Sequence, residues 1–367
     1  MHKIEVPPIE KITREYKRQY QTYDDFSKKI ENVLREILQE KKIKFHTITA
    51  RAKKFDSVKR KLKKKGRQYR FLPDITDLAG VRVTCLVPDD VDKVAKIVET
   101  TFKILPKYSI DKRIPEDPTG FGYASFHYVI EIQSKRRALP EWNRFGQLRA
   151  EIQIRTLLQH AWAEIEHDVG YNTPYQVPRE FRRRFSRLSG LLELADSEFN
   201  RLLRDITAYR KEVSKKINTE VTKIPIDRES FKLYYQKPQI LNNLDRKIAT
   251  IIQGSLSSSD DFIEPSIDIL AYHKIATFGQ LEKNLEQHDS NLQAFVTHWE
   301  KPSKGIEIPR GVTIFYLGLF LIGKKSLKEI EEYIERFPIL IENKTVHDIT
   351  REVKNLVNQI TPEREGS

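Results

Sequence analysis

Leu148-Arg149-Ala150-Glu151-Ile152-Gln153-Ile154-Arg155 alternates strictly between apolar and polar residues. A strand repeats its faces every second residue. Leu148, Ala150, Ile152 and Ile154 therefore share one face, and Arg149, Glu151, Gln153 and Arg155 the other. The stretch is expected to be a half-buried strand whose polar face carries a single carboxylate.

Working outward, Leu78 to Val87 and Ser125 to Ile132 read as further strands, and His46 to Lys53 is β-like. Helical spacing of Phe26, Ile30, Val33, Leu34, Ile37 and Leu38 predicts a helix over 24–42, capped by Asp24 or Asp25. A basic helix runs to Lys65 and is stopped by Gly66. Amphipathic helices follow over Val91 to Phe102, from Leu157, and over Arg179 to Lys216. Strands and helices thus mix over 45–175, which predicts an α/β or α+β core. From Phe231 to about Val357 only helical patterns occur. The expected organisation is an N-terminal segment 1–24, an α+β domain 25–217, a linker 218–230 and an all-α domain 231–367.

Composition bounds the function. Of 367 residues, 39% are hydrophobic and 32% charged, enough for packed cores under a charged surface. The single cysteine, Cys85, excludes an internal disulfide and a cysteine-rich metal site, which suits a reducing cytoplasm. No apolar leader is visible at the N-terminus. The longest apolar run, Val312 to Ile322, rises about 1.5 Å per residue and falls short of a bilayer core of roughly 30 Å. It reads as a buried helix, so no membrane partner is expected. The formal charge of +13, from 65 Lys+Arg against 52 Asp+Glu, favours polyanionic partners.

Four segments carry chemistry. Asp77 precedes a buried strand, and Glu151 lies on a polar strand face. Carboxylates so placed, near many cations, are what a metal–triphosphate site needs, because Mg²⁺ takes one or two carboxylates plus substrate phosphates. The plainer alternative pairs Glu151 with Arg149 or Arg155 across a solvated face. Arg51, Lys53, Ser57 and Lys61 come from one strand-to-helix turn, where cations and helix N–H groups suit phosphate. The alternative there is a solvated charge run. Gly122-Tyr123-Ala124-Ser125-Phe126-His127 joins a glycine loop to a strand, offering the Tyr123 ring to a base or, more plainly, to a core.

Together these elements resemble the RelA/SpoT-like (p)ppGpp synthetases. Arg51-Ala-Lys53-Lys-Phe-Asp-Ser57-Val-Lys-Arg-Lys61 is similar to the family's phosphate-binding segment. Asp77-Leu-Ala-Gly-Val-Arg82 resembles its metal-binding strand. Gly122-Tyr123-Ala-Ser125-Phe-His127 resembles its acceptor motif. Glu151-Ile-Gln153-Ile-Arg155-Thr156, followed by Trp162 and Glu166-His167, resembles its catalytic segment. The four occur in family order over about residues 25–200.

The resemblance implies an α+β, nucleotidyltransferase-like synthetase fold, a mixed β-sheet flanked by helices, and an ATP-dependent pyrophosphokinase. Arg51 would stack on adenine; Lys53, Ser57, Lys61 and Arg82 would bind ATP. Asp77 and Glu151 would be catalytic and hold Mg²⁺. Tyr123, His127, Gln153 and Arg155 would bind the acceptor. The stretch before Tyr123 carries Thr119 and Phe121 where housekeeping members have lysine and asparagine, and Lys112 and Arg113, just upstream, are the expected substitutes. The acceptor stays open between GDP/GTP and the 3′ end of tRNA. The latter is used by toxin–antitoxin fusions of the CapRel type, whose C-terminal segment is regulatory. By that analogy residues 231–367 would hold the enzyme in check and receive a protein trigger. Homo-oligomers also occur among the small synthetases. A catalytically silent nucleotide binder is the remaining alternative; the joint presence of Asp77, Glu151, Arg51, Lys53 and Tyr123 speaks against it.

Overall fold

The computed structural model describes residues 9–65, 69–113, 125–171, 179–237, 239–302, 305–339 and 344–361. The chain divides into two compact units, Met1–Arg204 and Asp205–Ser367.

In the first unit the elements run α1 (Ile9–Glu40), β1 (Thr47–Ala52), α2 (Phe55–Lys65), β2 (Ala79–Cys85), α3 (Pro88–Thr101), β3 (Lys103–Ile104), β4 (Ile110–Asp111), β5 (Phe126–Glu131), α4 (Ser134–Arg137), α5 (Pro140–Asn143), β6 (Ala150–Thr156) and α6 (Leu157–Tyr171), and then α7 (Arg179–Lys216) begins. The sheet order is β1-β2-β6-β5-β3, with β4 also on β5. Among the described residues of this sheet, β2 and β6 pair in parallel and the other ladders are antiparallel. This is the mixed sheet with flanking helices that the family resemblance implies, and β6 is the half-buried strand that the alternation around Glu151 predicts.

One face of the sheet is core. Ile48, Val81, Val83, Ile152 and Ile154 pack there with Phe26, Ile30 and Leu34 of α1 and Val91, Val94 and Val98 of α3. The strict alternation of β1, β2 and β6 places this apolar set on one side and leaves Arg51, Arg82, Glu151 and Gln153 on the other. Burying each such aliphatic side chain contributes roughly 1.5–3 kcal/mol, which fixes the register of the polar face as well. Cys85 lies in the same core, and burial first, then Asp90, push its thiol up to about 12.

Helix α1 begins at Ile9, well before the start expected at Asp24. Ile12, Tyr16 and Tyr23 continue its buried stripe, so tertiary packing extends the helix. Asp24 is therefore no cap. It sits mid-helix, pairs with Lys28 at 2.6 Å, and accepts the Ala52 backbone N–H at 3.2 Å.

The second unit continues with α8 (Arg228–Tyr235), α9 (Ile240–Ile252), β7 (Ser255–Leu256), α10 (Ile263–Tyr272), α11 (Phe278–Trp299), β8 (Glu307–Ile308), α12 (Val312–Gly323), α13 (Leu327–Arg336) and α14 (Val346–Ile360). It is helical as expected, with one addition: β7 and β8 form a short parallel ladder. Two residues per strand are too few for any sequence period. The apolar run at 312–322 is indeed a buried helix, α12. Its N-terminus is held by Asp245 of α9, a buried carboxylate that accepts the N–H groups of Gly311 (2.7 Å) and Thr313 (3.0 Å) and the hydroxyls of Thr313 and Tyr235. Tyr234, Tyr235 and Tyr316 are buried in this unit's own core, and Phe315 packs against it. No helix among the described residues is long and apolar enough to cross a membrane.

Candidate active site

The polar sheet face is built from two aligned rows. Strand register puts Arg51 beside Gly80, and Gly80 beside Glu151. The next row aligns Thr49, Arg82, Gln153 and His127. These rows floor a cleft of about 290 Å³, lined by Arg51, Lys53, Asp77, Arg82, Glu151 and Gln153 together with Thr49 and Gly80. Six residues nominated from sequence thus share one cavity.

Asp77 lies in the turn entering β2. Its Oδ2 accepts from Lys53 Nζ at 2.6 Å, and its Oδ1 faces Lys61 Nζ at 2.8 Å. Burial raises the Asp77 pKa, but the two ammonium groups outweigh it and hold the carboxyl below its usual range. The Lys53 turn is fixed from three sides. Its N–H donates to Leu78 O at 2.8 Å, its carbonyl accepts the Tyr16 hydroxyl at 2.5 Å, and Asp24 holds the neighbouring Ala52. Tyr16 is fully buried. Sequence reading finds neither supporting role, because both arrive from α1 across the fold; the aromatic spacing of Tyr16 and Tyr23 is the one available signal.

Glu151 pairs with His127 Nδ1 at 2.8 Å through Oε1, and Gln153 Nε2 donates to its Oε2 at 3.0 Å. Burial raises the Glu151 pKa; the His127 contact, opposed by the nearby charge of Asp77 and aided by Gln153, brings it below the ordinary value. The plainer pairing with Arg149 does not occur, since that guanidinium goes to Glu131 at 3.2 Å and to Pro73 O at 3.3 Å.

The other nominated residues are placed as follows. Ser57 lies in the first turn of α2 and receives Arg60 at 3.3 Å; it does not line the cleft. Arg82 meets Glu164 of α6 at 2.8 Å. Arg155 shares the strand face of Glu151 but is 2% exposed, covered by α6, with its guanidinium on His160 at 2.5 Å and Glu164 at 3.2 Å. Lys112 is exposed beyond β4, where its backbone N–H donates to Ser125 O at 2.9 Å, away from the cleft lining. Tyr123, with Thr119 to Gly122, lies outside the described residues, as does the side chain of His167. Trp162 is buried and donates to Phe185 O at 3.3 Å.

Chemically, the cleft offers two ionised carboxylates with cations around them. No group of three or more His, Cys, Asp or Glu side chains is poised to cage a metal among the described residues. Two hard oxygen donors alone fit a cation whose remaining ligands are phosphate oxygens and water.

Residues 50–176 match the family described as "Region found in RelA / SpoT proteins". Over 140 residues the chain is 31% identical to GTP pyrophosphokinase YwaC of Bacillus subtilis, covering 36% of this chain and 60% of that protein. It is 26% identical over 176 residues to GTP pyrophosphokinase YjbM of the same organism, covering 46% of this chain and 77% of the relative. The solved small alarmone synthetase 1 from Bacillus subtilis aligns at 22% identity with a TM-score of 0.44, over 53% of this chain and 99% of its own. On the family match and the two curated relatives, residues 50–176 carry a RelA/SpoT-type domain whose homologues are GTP pyrophosphokinases.

Proposed function

We propose that the first unit transfers the β,γ-pyrophosphate of ATP to a ribose 3′-OH, with GDP or GTP as acceptor and (p)ppGpp as product. The observation that carries this reading is Asp77, held between Lys53 and Lys61 on the wall of the cleft that Glu151 lines.

In the reaction the acceptor 3′-oxygen forms a bond to the β-phosphorus, the bond from that phosphorus to the α,β-bridging oxygen breaks, and AMP departs with that oxygen. Lys53 and Lys61 bind the donor phosphates and neutralise charge that builds on their oxygens. Arg51, on the outer strand of the cleft, stacks on the adenine. Arg82, steadied by Glu164, adds a further cation to the cleft. Glu151 stays ionised at neutral pH and accepts the hydroxyl proton; His127 and Gln153 orient its two oxygens. Asp77 and Glu151 would hold Mg²⁺, whose chemistry there would be charge neutralisation for the triphosphate. Tyr123 stacks on the acceptor base in this reading, and Arg155 acts through the α6 cluster that covers it.

The GTP pyrophosphokinase relatives support a guanine nucleotide acceptor. The +13 charge keeps the tRNA 3′ end as the second reading, because phosphate contacts dominate such binding. Residues 231–367 would then restrain the enzyme until a protein trigger binds. The test is incubation with γ-labelled ATP and Mg²⁺, offering GDP, GTP, AMP and deacylated tRNA separately. Label in GDP or GTP is expected; label confined to tRNA would replace the first reading with the second.

A further inference from the structure

A cavity of about 670 Å³ lies in the second unit, between the end of α10, one face of α11 and the end of α12. Its charged lining is one-signed: Lys274, Lys283, Lys324 and Lys325, with His273 beside them and no carboxylate among the lining residues. None of the four ammonium groups is in an ion pair among the described residues, although the protein pairs many of its other lysines and arginines. Four like charges around one concavity repel each other and gain from an anion that bridges them.

The surroundings do not supply that anion. Glu329 stands near Lys325, but it is engaged by the Ser326 N–H at 3.0 Å and hydroxyl at 2.6 Å. Lys354 adds another cation at the rim, its Nζ donating to Lys325 O at 2.8 Å. Lys324 is exposed and lies 4.5 Å from the Phe320 ring centroid, and partial burial pulls its ammonium below the usual range. The amides of Asn284 and Gln287 from α11 complete the lining with neutral donors and acceptors.

We infer that this cavity is a second anion site, distinct from the catalytic cleft, and that it takes a small phosphate-bearing ligand of the polyphosphate or nucleoside polyphosphate class. The volume falls in the range of about 300–1,000 Å³ typical of small-molecule sites. Three separate segments converge their cations on one hollow, which suits clustered phosphate charge. An acidic protein face would need roughly 800 Å² of contact with an apolar centre; here Ile275 is buried and Leu321 only partly open. The inference rests on the second unit alone and holds whatever the first unit transfers.

The test uses the full chain and inorganic tripolyphosphate as probe, followed by titration calorimetry at low ionic strength. Lys283→Glu/Lys325→Glu alters two exposed side chains, and an unchanged melting temperature confirms folding. Loss of one class of sites, or about tenfold weaker binding in that class, is expected for this variant. Lys53→Ala/Lys61→Ala, which empties the catalytic cleft of its lysines, is expected to keep that class. An isotherm that Lys283→Glu/Lys325→Glu leaves unchanged overturns the inference, as does binding of a poly-glutamate peptide at this cavity without binding of tripolyphosphate. Failure of label transfer in the first unit leaves this result untouched, so the two readings fail separately.

Discussion

Gly80 on β2 pairs directly with Glu151 on β6, and a methyl group at position 80 would meet nothing nearer than the Arg51 carbonyl oxygen at 3.7 Å. The protein itself therefore leaves room for a side chain there. The space belongs to the cleft, between Arg51 and Glu151.

Gly80→Val is accordingly expected to fold with stability equal to or above the parent, because valine suits a strand. Its bulk enters the donor site, and transfer should fall by at least about tenfold, a loss of roughly 1.4 kcal/mol of transition-state binding. Thermal melting and initial rates check this together. A destabilised protein, or an active one, would place the donor elsewhere.

The two lysines on Asp77 predict a split in kinetic constants. Lys61→Met removes one cation from the donor phosphates while leaving Lys53 in place. The KM for ATP should rise about tenfold and the KM for the acceptor should stay near the parent value. The pair is partly solvated, so melting should shift little. An unchanged KM for ATP would remove Lys61 from the donor site.

Asp196 of α7 predicts a pH effect on stability. It is 3% exposed, its Oδ2 accepts the Thr156 hydroxyl at 2.6 Å at the end of β6, and burial pushes its pKa up to about 6 despite that hydrogen bond. A carboxyl raised above its unfolded value of roughly 3.9 favours folding while protonated, and that contribution is lost as pH rises from about 4 to about 6. Asp196→Asn keeps an acceptor for Thr156 and carries no charge. It should stabilise the protein by roughly 1–3 kcal/mol at pH 7.5, with the gain shrinking towards pH 4.5. A gain independent of pH would contradict the assignment.

Much of the first unit was legible because its strands alternate. Ala150, Ile152 and Ile154 are buried and Glu151 and Gln153 face the cleft, as period two requires. Arg155 obeys the same period yet is buried, because α6 covers the strand end; alternation assigns a face, not what packs on it. Asp77, Lys53 and Lys61 were individually visible, but their mutual contact depends on the β1–α2 turn meeting the lead-in to β2, held by Tyr16 and Asp24 from a third element. The helix start at Ile9 has a weaker signal, because the stripe there is carried by Tyr16 and Tyr23, whose hydroxyls make them ambiguous between core and surface. The two-residue strands β3, β4, β7 and β8 have no periodic signal at all.

The central claim is that Asp77 and Glu151 together make the cleft a pyrophosphate-transfer site. It is tested most directly by γ-labelled ATP and Mg²⁺ with GDP and GTP, using the parent protein, Asp77→Asn and Glu151→Gln. The account predicts label in the guanine nucleotide with the parent and none with either variant, each variant melting as a folded protein. Label transfer by Glu151→Gln or Asp77→Asn at the parent rate would contradict it.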